Sequence, residues 1–140
     1  YTKHTNRRNA PAGYHLTFSW AGDNEARAIE AFNNGLNIAI PFSTKRNQAL
    51  PAFFKLGDSW VPVFDGDNDN GDFRPLDPSG HIIGLRFKFD TSPQAPSRPQ
   101  QLQAAINAGF VIDQNTGDCL QHGSQAALAV KDWLEFKARA

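Results

Sequence analysis

Hydrophobic and polar residues alternate with a period of two along three stretches of the chain, at 14–20, 36–42 and 82–90. Alternation of this kind is typical of β-strands that bury one face and expose the other. We therefore predict three half-buried strands, each with its large aromatic or aliphatic side chains turned toward a core.

Shorter strands are predicted between turn-forming residues. Gly57-Asp58 is expected to join two of them as a hairpin. Pro41 and Pro62 lack a backbone N–H. The strand that contains Pro41 is therefore expected to end there or to lie at a sheet edge, and Pro62 is expected at an edge or a bulge. The shorter predicted strands are 52–56, 59–65, 72–76, 110–112 and 119–120.

Three segments show the apolar spacing and end signals of helices. The first lies between Asp23 and Gly35, the second covers about 99–108, and the third runs from about 125 to 138. The cap and stop residues predicted for the second and third are Ser97 or Arg98, Gly109, Ser124 and Lys137.

The elements follow the order β-α-β-β-β-β-β-α-β-α, and short turns between neighbouring strands favour antiparallel pairing. We predict an α+β fold with a mainly antiparallel twisted sheet and helices on one face, formed by residues 14–140. Residues 1–13 are polar, basic and aperiodic, so they are expected to form a flexible arm. The side chains expected in the core are Phe18, Trp20, Ile38, Ile40, Leu85, Phe87 and Trp133.

The composition is that of a packed protein without a strong overall charge. Lys plus Arg and Asp plus Glu each number 14, so the total charge favours neither nucleic acid nor a membrane surface. No run reaches the roughly 18 apolar residues of a membrane span. Cys119 is the only cysteine, which excludes an internal disulfide and a zinc cluster of cysteines.

The start of the chain carries some information about its origin. It begins at Tyr1 and contains no Met, so we expect a processed product or an excerpt of a longer chain. No signal peptide is visible, which favours the cytoplasm while leaving the compartment open.

The segment 63–73 carries four Asp and two Asn within eight positions. A turn with this charge needs water, a cation or basic side chains to offset it. Asp65, Asp67 and Asp69 match the first, third and fifth positions of a calcium loop, but Leu76 stands where that loop needs a bidentate Glu. We predict an exposed, solvated turn that requires no cofactor and holds a divalent cation weakly at most.

His81 opens the last of the long strands and is a candidate to face the acidic hairpin. A His beside carboxylates can act as a general base in phosphodiester cleavage. With Asp65, Asp67 and Asp72 as metal ligands, it defines an alternative hypothesis, a small metal-assisted nuclease or toxin-type hydrolase. The plainer interpretation of His81 is a surface residue beside a turn.

The segments 67–72 (DNDNGD) and 79–84 (SGHIIG) are similar to the hairpin region of the ribosome-cleaving colicin nucleases. In that family an Asp, a His and a Glu carry out the cleavage. Asn70 and Arg74 stand at the aligned His and Glu positions here, so the similarity does not place the chain in that family.

Basic residues form the third candidate feature. By strand alternation, those on the sheet are expected to share its solvent-exposed face and, with the arm and Lys45-Arg46, to offer contacts to phosphates. The aromatic residues that stack on bases alternate to the other face, and a solvated face is the plainer interpretation. The candidate partner-binding residues are Lys3, Arg7, Arg8, Lys55, Arg74, Arg86 and Lys88.

These features favour a non-enzymatic binding module that acts through a sheet face, hairpin tips and the basic arm. Its partner is a protein or a nucleic acid, and no membrane partner is expected. Oligomeric state and any activity stay open. A structural or assembly subunit is a further alternative, and a nuclease would be recognised by loss of activity with a chelator.

Overall fold

Six strands and three helices make up the described part of the chain, residues 17–67 and 80–139 of a computed structural model, and the predicted α+β class is confirmed. The strands are β1 (Thr17–Ser19), β2 (Asn37–Phe42), β3 (Phe53–Leu56), β4 (Ser59–Asp65), β5 (Ile82–Arg86) and β6 (Cys119–Leu120). The helices are α1 (Glu25–Asn33), α2 (Arg98–Asn107) and α3 (Gln125–Arg139). The predicted arm at 1–13 and the predicted strand at 72–76 lie outside the described residues.

One mixed sheet contains these strands in the order β1-β2-β5-β4-β3-β6. β1, β2, β5 and β4 run parallel, whereas β3 is antiparallel to β4 and to β6. The sheet is thus less antiparallel than its turns suggested. The β3–β4 hairpin has the short connection that requires antiparallel pairing, while β1 and β2 are joined through α1, and such a crossover returns the chain in the parallel direction.

A buried cluster lies between the sheet and α1. Phe18, Ile38 and Ile82 occupy one row across β1, β2 and β5, and all three are fully buried. Ala28 and Ala31 of α1 are also fully buried in this cluster. Burying a large apolar side chain contributes about 1.5–3 kcal/mol, so this layer supplies much of the driving force for folding.

The predicted core is confirmed in its first four members, Phe18, Trp20, Ile38 and Ile40, and wrong in the others. Leu85 and Phe87 are only half-buried. By strand alternation they lie on the face opposite to Ile82, which shares the core row with Phe18 and Ile38. Ile82 and Ile83 are both fully buried, so alternation does not separate an inner face from an outer one there. Trp133 is 57% exposed.

Pro41 and Pro62 both lie in interior strands, so the edge position predicted for them is wrong. β2 ends at Phe42, one residue after Pro41, which agrees with the predicted strand end. The carbonyl of Pro41 accepts a hydrogen bond from Ile112 N (3.0 Å), on the side where β1 has already ended. The nitrogen of Pro41 faces the same side, so its lack of a hydrogen does not remove a hydrogen bond between β1 and β2. Pro62 lies one residue before Val63 pairs with Ile82, so its nitrogen faces β5 ahead of the parallel ladder.

The helix boundaries follow the predicted end signals closely. The Ser97 hydroxyl accepts a hydrogen bond from the third residue of α2 (3.3 Å), and Ser124 does the same for α3 (3.1 Å). α1 starts one residue later than predicted, with Asn24 and not Asp23 at the cap position. None of the helices in the described residues is long and apolar enough to cross a membrane.

The end of α2 is fixed against β1 and the start of α1. Trp20 donates from its indole nitrogen to the Gly109 carbonyl (2.9 Å). Gly22 has a φ of +89°, and a Cβ there would lie 2.6 Å from the carbonyl carbon of Gly109. Any other residue at position 22 would therefore be strained and would collide with the backbone that ends α2.

Candidate functional site

Three parallel strands end side by side at one edge of the sheet, and the chain that leaves them surrounds an open groove of about 1140 Å³. The first turn of α2 forms a further side of this carboxyl-edge groove. In open sheets with helices, ligands bind at the carboxyl ends of the strands, where the connections leave a crevice. The lining includes residues 43–47, Asp65, Asp67, 86–89, Thr91, Arg98, Pro99 and Leu102.

Arg86 satisfies the donors of its guanidinium within this wall. Nη1 donates to Asp65 (3.1 Å) and Asp67 (3.3 Å), and Nη2 donates to Asp65 (3.2 Å) and to the Gln48 carbonyl (2.7 Å). Nε donates to the Lys45 carbonyl (3.2 Å). One side chain therefore joins the ends of β4 and β5 to the loop that follows β2.

The charge of Arg86 is reinforced by its surroundings. Burial lowers its pKa, but the hydrogen bonds and negative charges of Asp65 and Asp67 outweigh burial, so the net pKa is raised above the ordinary value. The Asp67 backbone N–H also donates to Asp65 (2.9 Å). The first two carboxylates of the acidic segment are thus half-exposed and ion-paired, and not simply solvated as the sequence suggested.

The predicted cation ligands do not form a metal centre in the described part of the chain. No three His, Cys, Asp or Glu side chains of residues 17–67 and 80–139 come together at one point. Asp65 and Asp67 share the positive charge of Arg86, which opposes a second cation. Asp69 and Asp72 lie outside the described residues.

His81 does not meet Asp65 or Asp67. Asp65 pairs with Gly84 in the β4–β5 register, and His81 precedes Gly84 by three residues, so the two side chains alternate to opposite faces. The His81 ring packs edge-on against Phe64, with 6.5 Å between centroids. The general base of the nuclease hypothesis is therefore separated by the sheet from these two proposed ligands.

Four exposed basic side chains line the groove besides Arg86, and these are Lys45, Arg46, Lys88 and Arg98. Within the described residues, none of the four forms an ion pair with a carboxylate. Among residues 17–67 and 80–139, the lining holds five basic and two acidic residues, an excess of three positive charges in this part of the groove. The groove is a local positive patch on a neutral protein.

Two aromatic rings lie among these charges. Phe87 and Phe89 pack edge to face with 5.1 Å between ring centroids. The guanidinium of Arg98 lies 5.4 Å from the centroid of Phe89. Both rings are half-buried, so each keeps surface that is open to the groove.

The loop after β2 is held from two sides. Beyond its bonds to Arg86, the Lys45 N–H donates to the Gln48 side chain (3.1 Å). Thr44, which is buried, donates to Gln114 (2.5 Å). Lys45 and Arg46 therefore project from an ordered turn, and less backbone entropy is lost when they bind a ligand.

The remaining predicted partner-binding residues are not gathered here. Lys55 and Arg86 were expected on one solvent-exposed face but lie on opposite faces. In the strand register, Arg86 shares a face with Val61 and Phe54, and Lys55 follows Phe54 and so lies on the other face. Arg86 itself is mostly buried, with 17% of its side chain exposed. Lys88 does line the groove. Lys3, Arg7, Arg8 and Arg74 lie outside the described residues.

Arg98 and Phe89 are groove residues that the sequence did not reveal as such. Arg98 was noted only as a helix cap, and Phe89 only as part of an apolar alternation. A basic residue at a helix start, following a strand end rich in Phe and Lys, was the available signal. This signal indicates a groove only when the parallel pairing of the strands is known.

Cys119 is a structural thiol. It is 7% exposed, and its sulfur contacts the Asp113 carbonyl (3.8 Å). Burial raises the pKa of Cys119 to about 12. The thiol stays protonated near neutral pH, as expected for a buried cysteine without a nearby cation.

A comparison with known protein families identifies the family of this chain. Residues 1–114 match the family model described as Gene product 88. The chain belongs to this family. Every groove-lining residue of this Gene product 88 protein falls within the matched part, whereas α3 lies beyond it. No curated protein and no solved structure matches the chain.

Proposed function

We propose that this Gene product 88 protein is a non-enzymatic binding module that holds an extended polyanion in the carboxyl-edge groove. The observation that carries the proposal is the set of four exposed basic side chains, without carboxylate partners among the described residues, that follow β2 and β5 and begin α2 around this groove.

The internal pairing of Arg86 supports this proposal. Because Asp65 and Asp67 are bound to Arg86, their charges oppose an anion less than free carboxylates would. Lys45, Arg46, Lys88 and Arg98 supply the attraction. Their charges are exposed, so binding should weaken steeply as salt rises.

The groove is suited to an extended ligand more than to a small molecule. Its volume of about 1140 Å³ exceeds the roughly 300–1,000 Å³ of typical small-molecule pockets, and it is open along one side. Its cations come from three separate segments of the chain, after β2, after β5 and at the start of α2. A ligand that contacts all of them must carry several charges.

The proposal is tested with a labelled heparin fragment, which carries dense negative charge and no aromatic base. The double variant Lys88→Ala with Arg98→Ala should bind at least about tenfold more weakly than wild type at 50 mM salt, since each lost contact removes a counterion-release contribution. The matched control is Lys131→Ala with Lys137→Ala on α3, which should bind within about twofold of wild type. Equal losses in both variants, or no binding by wild type, would refute groove binding.

A further inference from the structure

We infer that the polyanion is single-stranded nucleic acid, whose bases stack on Phe87 and Phe89 while its phosphates contact the surrounding cations. This inference rests on the proposed function and adds the class of ligand. Its basis is that the two rings line the same groove as the four cations that have no carboxylate partner among residues 17–67 and 80–139.

The rings are placed to accept flat groups. Phe87 and Phe89 pack edge to face, with 79° between their planes, so this contact covers part of one face of one ring and leaves the other ring faces free of it. Arg98 lies 5.4 Å from the centroid of Phe89 and contributes a second planar group that carries a charge. Aromatic and guanidinium planes beside cations are the elements that single-strand-binding proteins use to hold bases and phosphates together.

Single strands fit this arrangement better than a duplex. The bases of a duplex are already stacked on one another, so their faces are not available to protein rings. Reading a duplex usually requires a helix or a two-stranded ribbon that enters the major groove. Here the candidate contacts lie in a concave groove, and α2 contributes Arg98 as its one basic residue.

An acidic protein segment is the competing occupant, because carboxylates would satisfy the same cations. It would leave Phe87 and Phe89 without a matching partner, since acidic side chains have no flat apolar face. The rings therefore decide between two polyanions that the cations alone do not distinguish.

The experiment measures the affinity of the full chain for four labelled probes of equal length by fluorescence anisotropy. The probes are an oligo(dT) strand, the same sugar–phosphate strand with every base removed, an oligo(dT)–oligo(dA) duplex and poly-glutamate. The strand with bases should bind at least about fivefold more tightly than the abasic strand, as expected for one or more stacked bases. It should also bind more tightly than the duplex and poly-glutamate.

A variant links this preference to the rings. Phe89→Leu should weaken oligo(dT) binding at least about fivefold and leave abasic-strand binding within about twofold. Phe136→Leu, an exposed phenylalanine on α3, is the matched control and should change neither. If Phe89→Leu lowers the stability of the chain, the comparison of the two strands on wild type still decides, because it needs no variant.

The outcomes separate the two proposals. Equal binding of both strands, with no effect of Phe89→Leu, would overturn base stacking and leave a polyanion groove. Tighter binding of the duplex or of poly-glutamate would overturn the inference in favour of double-stranded nucleic acid or an acidic protein. Failure of every probe, heparin included, would overturn the proposed function as well.

Discussion

The carboxyl-edge groove and helix α3 both expose aromatic rings beside basic side chains. In the groove, Arg98 lies 5.4 Å from the centroid of Phe89, and on α3 Lys137 lies 5.9 Å from the centroid of Trp133. The rings of Trp133 and Phe136 stack with 6.0 Å between centroids, close to the spacing of Phe87 and Phe89. The two regions have nearly the same local chemistry.

They differ in how charge is arranged around the rings. On α3, positions 131–137 hold two basic and two acidic residues, so their charges balance within two turns. In the groove, the two lining aspartates, Asp65 and Asp67, are bound by Arg86, and four other cations have no carboxylate partner among the described residues. The described sheet edge therefore carries an excess of positive charge, whereas the charges at positions 131–137 of the helix balance.

The groove and α3 also differ in how firmly their residues are held by the rest of the fold. The groove cations extend from strand ends and from a loop fixed by Arg86 and Thr44. On α3, Ala127 is the one described side chain that is largely buried, so little anchors the outer residues. Similar residue types therefore form a concave, ordered surface at the sheet edge and an exposed, weakly anchored one on α3.

The largest expected difference is in stability. Arg86→Ala should lower the free energy of unfolding by about 2–4 kcal/mol, because it leaves Asp65 and Asp67 without their shared partner. Partial exposure of Asp65, 45% of its side chain, lets water limit the loss. Lys137→Ala should change it by less than about 0.5 kcal/mol. Urea unfolding of both variants checks this, and similar values for the two would contradict the role given to Arg86.

A smaller difference is expected for the aromatic residues. Phe87 is half-buried, so Phe87→Ala should cost about 1–2.5 kcal/mol, less than the roughly 3–5 kcal/mol of a fully buried phenylalanine. Trp133→Ala should cost less than about 1 kcal/mol, because that ring is 57% exposed. Thermal unfolding of the pair measures both. A larger loss of unfolding free energy for Trp133→Ala than for Phe87→Ala would contradict the weak packing described for α3.

The smallest expected effect is that of calcium. Millimolar calcium should raise the melting temperature of wild type by less than about 5 °C, since Arg86 already pairs with Asp65 and Asp67 and offsets part of their charge. The rise should be larger for Arg86→Ala, where the carboxylates are released, and a chelator control should remove it. A wild-type rise above about 5 °C would show a preformed cation site in the acidic segment.

Local features of the fold were predictable from sequence because they depend on neighbouring residues. The β3–β4 hairpin at Gly57, the Ser97 cap of α2 and the alternation that buries Phe18 and Ile38 all follow from short-range rules. Parallel pairing does not, because it joins strands that are distant in the chain and leaves no turn signal between them.

The candidate site could not be predicted without knowing the parallel pairing of the strands. Arg86 was placed on a solvent-exposed face because alternation assumes one buried side, whereas Ile82 and Ile83 show that β5 is covered on both. Once Asp65 and Arg86 are known to end adjacent parallel strands, their ion pair follows. The prediction that Trp133 is buried was wrong for a different reason. Apolar spacing along a helix predicts which residues share a face, but it does not predict that another element covers that face.

The most direct test of the central claim is the salt dependence of oligo(dT) binding by wild type and by the two matched double variants. On single strands each phosphate contact contributes about 0.7 to the slope of log affinity against log salt. Lys88→Ala with Arg98→Ala should therefore reduce the slope by about 1.4, and Lys131→Ala with Lys137→Ala should leave it unchanged. Equal slopes for both variants, or a larger reduction for the α3 pair, would contradict binding in the carboxyl-edge groove.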